Sequence, residues 1–89
     1  MKAVVTVVGK DAVGIIANTC VALASYNVNV LDISQTVMQG YFTMMMVVDV
    51  SNCTVALAEL CKAMDAKGQE LGLSIRVQRE DIFEAMHRV

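Results

Sequence analysis

Two glycines bracket the segment Gly9-Lys10-Asp11-Ala12-Val13-Gly14, which joins a β-branched run to a helix-like pattern. A strand that turns tightly into a helix leaves several backbone N–H groups without partners at the helix start. Those donors, together with the positive end of the helix dipole, suit an anion such as a carboxylate. Glycine on both sides lets a ligand or a neighbouring chain approach the backbone. The turn at Val13, Gly14 and Ile15 is therefore the candidate carboxylate grip. The ammonium group of a free amino acid would need a carboxylate, an amide oxygen or backbone carbonyls. Asp11, Asn29 and Asp32 are the polar groups expected near the same sheet end. Each has a plainer reading: Asp11 as a helix cap, Asn29 as a turn residue, Asp32 as a solvated edge charge. The loop itself can be read as an ordinary strand–helix connection.

Other chemistries find no support. Cys20, Cys53 and Cys61 lack the C-x-x-C spacing of a metal carrier, and the single histidine, His87, offers no ligand set. An acylphosphatase-like site would need an arginine in the first loop, where Ala12 stands instead. No Ser-His-Asp or Cys-His set can be assembled. An RNA-binding sheet would need exposed aromatics with basic company; two Tyr, two Phe and seven scattered Lys and Arg do not provide it. The net charge is −2 and the pI about 5.1, which also argues against nucleic acid. No apolar run approaches the roughly 20 residues that span a bilayer. Met1-Lys2-Ala3 leads directly into a strand without a signal-peptide layout, and three unpatterned cysteines fit a reducing compartment, so the cytoplasm is the expected location. No catalytic residue, metal or cofactor is assigned.

The elements that must position the loop follow from periodicity. Lys2 to Val8 reads as strand one and Gly14 to Tyr26 as helix one. Asn27-Val28-Asn29 turns the chain, and Val30 to Met38 forms strand two. Gln39-Gly40 makes a tight hairpin to strand three, Tyr41 to Val50. Ser51-Asn52 is positioned to cap helix two, which extends to Leu71 and ends at Gly72. Leu73 to Arg79 forms strand four, and Asp81 to Arg88 a short last helix. Strands two and four alternate polar and apolar, as edge strands do; strands one and three are apolar on both faces, as central strands are. The order 4-1-3-2 satisfies both facts. The fold class is α+β, a ferredoxin-like βαββαβ sandwich with an antiparallel sheet and an extra C-terminal helix. Ile16, Cys20 and Leu23, and Leu57, Leu60, Cys61, Met64 and Leu71, are expected to face the sheet. Val4, Val8, Met45 and Val47 line the opposite face, for the last helix (Ile82, Phe83, Met86) or another subunit to cover. With 56% apolar residues in 89 and a mean hydropathy of +0.56, one small domain cannot hide all its apolar surface, so a dimer or larger assembly is expected.

Val7-Val8-Gly9-Lys10-Asp11-Ala12-Val13-Gly14-Ile15 resembles the signature loop of ACT domains, and so does Asn27-Val28-Asn29-Val30-Leu31-Asp32-Ile33-Ser34-Gln35-Thr36 with Phe42-Thr43-Met44. The second block is similar to a small stand-alone ACT subgroup of the same length. The resemblance implies a non-catalytic regulatory module, 1–79, with a helical tail, 80–89. It implies a homodimer or higher homo-oligomer that binds an amino acid between subunits. The family's ligand positions fall on Asp11, Val13, Gly14, Ile15, Asn29 and Leu31. Many members carry arginine-proline where this chain has Ala12-Val13. A stand-alone domain would act through a separate enzyme or regulator. The alternative is a protein-interaction or oligomerisation module without a metabolite.

Overall fold

The structure, a computed structural model, describes residues 1–10 and 13–81. Alternation along two strands builds the sheet. On β1 (Lys2–Lys10), Ala3, Val5 and Val7 are buried; on β3 (Tyr41–Asp49), Phe42, Met44, Met46 and Val48 are. Register places Ala3 opposite Val48, Val5 opposite Met46, and Val7 opposite Met44. Directly opposed residues share a face, so these side chains make one apolar floor. β4 (Ser74–Arg79) adds Ile75 and Val77 beside Val7 and Val5. β2 (Asn29–Met38) pairs with the outer side of β3. The sheet runs β2-β3-β1-β4 with every neighbouring pair antiparallel, which is the expected order. As expected, the apolar strands are central and the alternating ones lie at the edges.

Two helices, α1 (Ile15–Ser25) and α2 (Leu57–Leu71), supply the second layer. Ile15, Thr19 and Leu23 form the buried stripe of α1, and Leu60, Met64 and Gly68 that of α2. Fully burying side chains such as Leu23 and Leu60 contributes about 1.5–3 kcal/mol each. Ile16 was expected on this stripe but is 37% exposed. The stripe instead passes through Thr19, whose hydroxyl donates to the Ile15 carbonyl at 2.8 Å and can therefore be buried.

Both helices end alike. Asn27 (φ 60) and Gly72 (φ 73) are left-handed. In each case the next residue, Val28 or Leu73, donates back to Leu23 or Gly68 and closes a Schellman motif. Helix two differs from expectation at its start. Ser51 and Asn52 do not cap it; α2 begins at Leu57 with Ala56 at the N-cap. The Ser51 amide instead donates to Asp49 Oδ1 at 2.9 Å, and the Asn52 carbonyl accepts from Asn27 Nδ2 at 3.0 Å. On the sheet's open face, Val4 is buried, whereas Val8 and Met45 are exposed. The expected last helix (Ile82, Phe83 and Met86 among its residues) lies outside the described residues, apart from a helical start at Glu80 and Asp81.

Candidate functional site

The end of β1 delivers the chain to the glycine-bracketed loop. Gly9 and Lys10 lie opposite Phe42 and Tyr41, so the loop stands at the hairpin end of the sheet. A Cβ on Gly9 would meet Leu73 Cδ2, so a larger residue there obliges that side chain to move aside. Asp11 lies outside the described residues. Val13 is fully exposed, and Gly14 has φ 86, a left-handed conformation that an L side chain adopts only under strain. Gly14 is the N-cap of α1 and has no side chain with which to satisfy the helix start. The Asn18 amide is the first to bond within the helix, to the Gly14 carbonyl at 2.8 Å. The amides of Ile15, Ile16 and Ala17 precede it at the opening of the helix, ahead of the helix's own ladder of bonds. Ile15 itself is 6% exposed, so its side chain anchors the loop in the core.

Sequence reasoning missed Asn18. Its side-chain nitrogen stands 3.2 Å from where a Cβ on Gly14 would be, which puts it beside the loop at the helix start. The spacing of four from Gly14 was the available signal, since such residues share a helix face.

Asn29 and Leu31 are elsewhere. Asn29 is exposed at the start of β2, opposite Asp49, which is itself opposite Lys2. Leu31 is skipped in the pairing between Val30 and Asp32, which makes it a β-bulge residue, and it is 48% exposed. Asp32 Oδ1 accepts from the Ile33 amide at 2.9 Å. The expectation that Asn29 and Asp32 share the loop's sheet end is therefore wrong for a single copy. β1 separates the two ends by about 27 Å at a rise of ~3.4 Å per residue. The reason is topological: α1 runs the chain back, so β2 starts beside the beginning of β1, not its end.

Other recesses hold less chemistry. A groove of about 300 Å³ between the helices is lined by Asn18, Val21, Ser25, Tyr26, Met64 and Lys67. A second, of about 390 Å³, follows the seam of α2 and β4 past Leu57, Cys61 and Val77. Burial pushes the Cys61 thiol up, and its sulfur donates to the Val77 carbonyl at 3.3 Å. A protonated, occupied thiol is a poor nucleophile. Among the described residues no His, Cys, Asp and Glu cluster could hold a metal ion, and no helix is long and apolar enough to cross a membrane.

The family model for the ACT domain matches residues 2–78. A UPF0237 protein of Listeria innocua is 51% identical over 89 residues, covering all of both chains. A UPF0237 protein of Methanocaldococcus jannaschii is 49% identical over 88 residues, covering 99% of this chain and 98% of its own. Among solved structures, an ACT domain protein from Streptococcus pneumoniae is 46% identical with a TM-score of 0.83, and 98% of each chain is covered.

Proposed function

The chain belongs to the ACT-domain family, and from that premise we propose that it is a non-catalytic regulatory domain that binds a small amino-acid-like molecule between two copies of itself. One observation carries the reading. The amides of Ile15, Ile16 and Ala17 follow a left-handed Gly14 that cannot cap them, at an exposed loop. A ligand carboxylate fits there. Its ammonium group would find Asn29 or Asp32 only on a second copy turned end for end, because within one copy these groups stand at opposite sheet ends. Asp11, Val13, Gly14, Ile15, Asn29 and Leu31 are the proposed site, with Asn18 added from its place over Gly14.

The domain occupies 1–79, and 80–89 forms a tail. Free thiols at Cys20, Cys53 and Cys61 support a reducing, cytoplasmic setting. Output passes to a separate enzyme or regulator through ligand-dependent dimer stability. Thermal-shift measurement against the twenty amino acids tests the reading. A ligand at about a hundred times its dissociation constant would add about 2.7 kcal/mol. No shift with any of them at millimolar concentration counts against the proposal. The second reading, an interaction module without a metabolite, draws support from the exposed apolar residues of β2. Co-purification of a partner, with no amino-acid response, would favour it.

A further inference from the structure

We propose that the groove between α1 and α2 is a second small-molecule site, complete within one copy, and that it takes a small aryl carboxylate with its acidic end at Lys67. The inference stands apart from the loop at Gly14 and from any pairing of copies.

Two helical stripes make the groove. On α1, Asn18, Val21, Ala22, Ser25 and Tyr26 recur at spacings of three and four, so they share a face beside the buried stripe of Ile15, Thr19 and Leu23. On α2, Ala63, Met64 and Lys67 stand across from them. The helices run antiparallel: α1 returns the chain from the hairpin end of the sheet, and α2 carries it back there. That order places Lys67 toward the Asn18 end of the groove. Tyr26 stands toward the other end, eight residues along α1 from Asn18, or about 12 Å at a rise of ~1.5 Å per residue. Ala22 and Ala63 contribute only methyl groups, which leaves room between the helices. The recess holds about 300 Å³. At ~30 Å³ per water that is the space of about ten waters, hence of a ligand with about ten non-hydrogen atoms.

The lining selects the ligand's charge. The α1 wall has no charged residue from Ile15 to Ser25. Among the described lining residues Lys67 alone is charged, and a lone cation in a concave, largely apolar site attracts an anion. The Lys67 ammonium lies 3.6 Å from Glu70 Oε1, but both side chains are exposed and such a pair contributes little, so the ammonium can turn to a ligand. One cation matches one negative charge; a phosphate ester would leave a second charge without a partner. The Ser25 hydroxyl is occupied by the Ala22 carbonyl at 2.6 Å. Among the described residues no hydrogen bond engages the side chain of Asn18 or Tyr26, which leaves an amide and a phenol as donors. The ligand's body follows from the floor. Met64 supplies a buried thioether and Tyr26 a half-buried ring, and both favour an aromatic group.

An amide NMR titration of the whole chain with phenylacetate, phenylacetamide and phenethylamine tests the site, because the three probes put different charges on one ring. Phenylacetate is expected to give saturable shifts at Ala22, Ser25, Ala63 and Lys67, with binding at least about tenfold tighter than phenylacetamide and with no saturable response to phenethylamine. Lys67→Met should weaken phenylacetate by about tenfold, and Glu70→Gln, which releases Lys67, should tighten it. Ala63→Leu should fill the groove and abolish the shifts with unchanged circular dichroism. No saturable shift at millimolar phenylacetate, equal responses to the three probes, or full affinity in Lys67→Met would overturn the site. The probe series on the wild type decides the matter even where a variant fails to fold. A phenylacetate response confined to Gly14, Ile15 and Ile16 sinks this site and leaves the loop reading standing. A failed amino-acid screen beside saturable shifts in the groove sinks the loop reading alone.

Discussion

At the scale of single residues, Gly14 has two roles that one substitution separates. Its φ of 86 suits a residue without a side chain, and the Asn18 side chain occupies the space beside it. Gly14→Val is expected to cost about 1–2 kcal/mol in strain and to abolish any ligand-dependent rise in melting temperature. An unchanged ligand response in the folded variant would show that the loop is not the site. Asp49 gives a prediction in pH. The Ser51 hydroxyl and then the Ser51 amide hold its carboxyl below the ordinary 3.8. A lowered native pKa adds stability that is complete above the ordinary value and is lost as pH falls through the native one. Asp49→Asn should therefore flatten the acid limb of a stability–pH curve below pH 3.8 and leave neutral cooperativity intact. Glycines, charges and the left-handed Asn27 were readable from the sequence because their chemistry is local. Thr19 was not, because a polar side chain enters a core only when it brings its own acceptor, here a carbonyl one turn back.

Among the elements, the β2–β3 hairpin offers a gain. Its turn places both Gln39 (φ 51) and Gly40 (φ 81) in left-handed conformations, a type I′ geometry that favours Asn-Gly. Gln39→Asn is expected to stabilise by about 0.5–1 kcal/mol, read as a higher denaturation midpoint at an unchanged slope. α2 offers the reverse. A Cβ on Gly68 would stand 2.8 Å from the Leu73 carbonyl oxygen and 3.2 Å from the Ile75 nitrogen, both backbone atoms. Gly68→Ala gains about 1 kcal/mol of helix propensity against about 1–3 kcal/mol of overpacking, so urea titration should show a net loss. All six elements of the described fold were legible from alternation and turn residues. The start of α2 was not: Ser51 and Asn52 have capping chemistry, but the helix opens only at Ala56 and Leu57, and the Ser51 hydroxyl accepts from the N-terminal amine instead. Ile16 was misplaced for a related reason. Ile16 follows Ile15, and two adjacent apolar residues at a helix start cannot both face the sheet; Ile15 takes the buried place.

At the scale of the molecule, the two parts of the candidate site became separable only with three-dimensional register. Sequence proximity to a turn says nothing of which sheet end the turn occupies; Asn29 opposite Asp49 opposite Lys2 decides it. The proposed pairing of two copies would make stability depend on concentration. The melting temperature should rise with protein concentration; a flat dependence would argue for a folded, independent monomer. Charge placement has a last consequence. β2 is an edge strand with neither lysine nor proline, so nothing along it turns away an extended stranger. Self-association at such a margin grows with concentration, so overproduction is the condition under which this protein would clump.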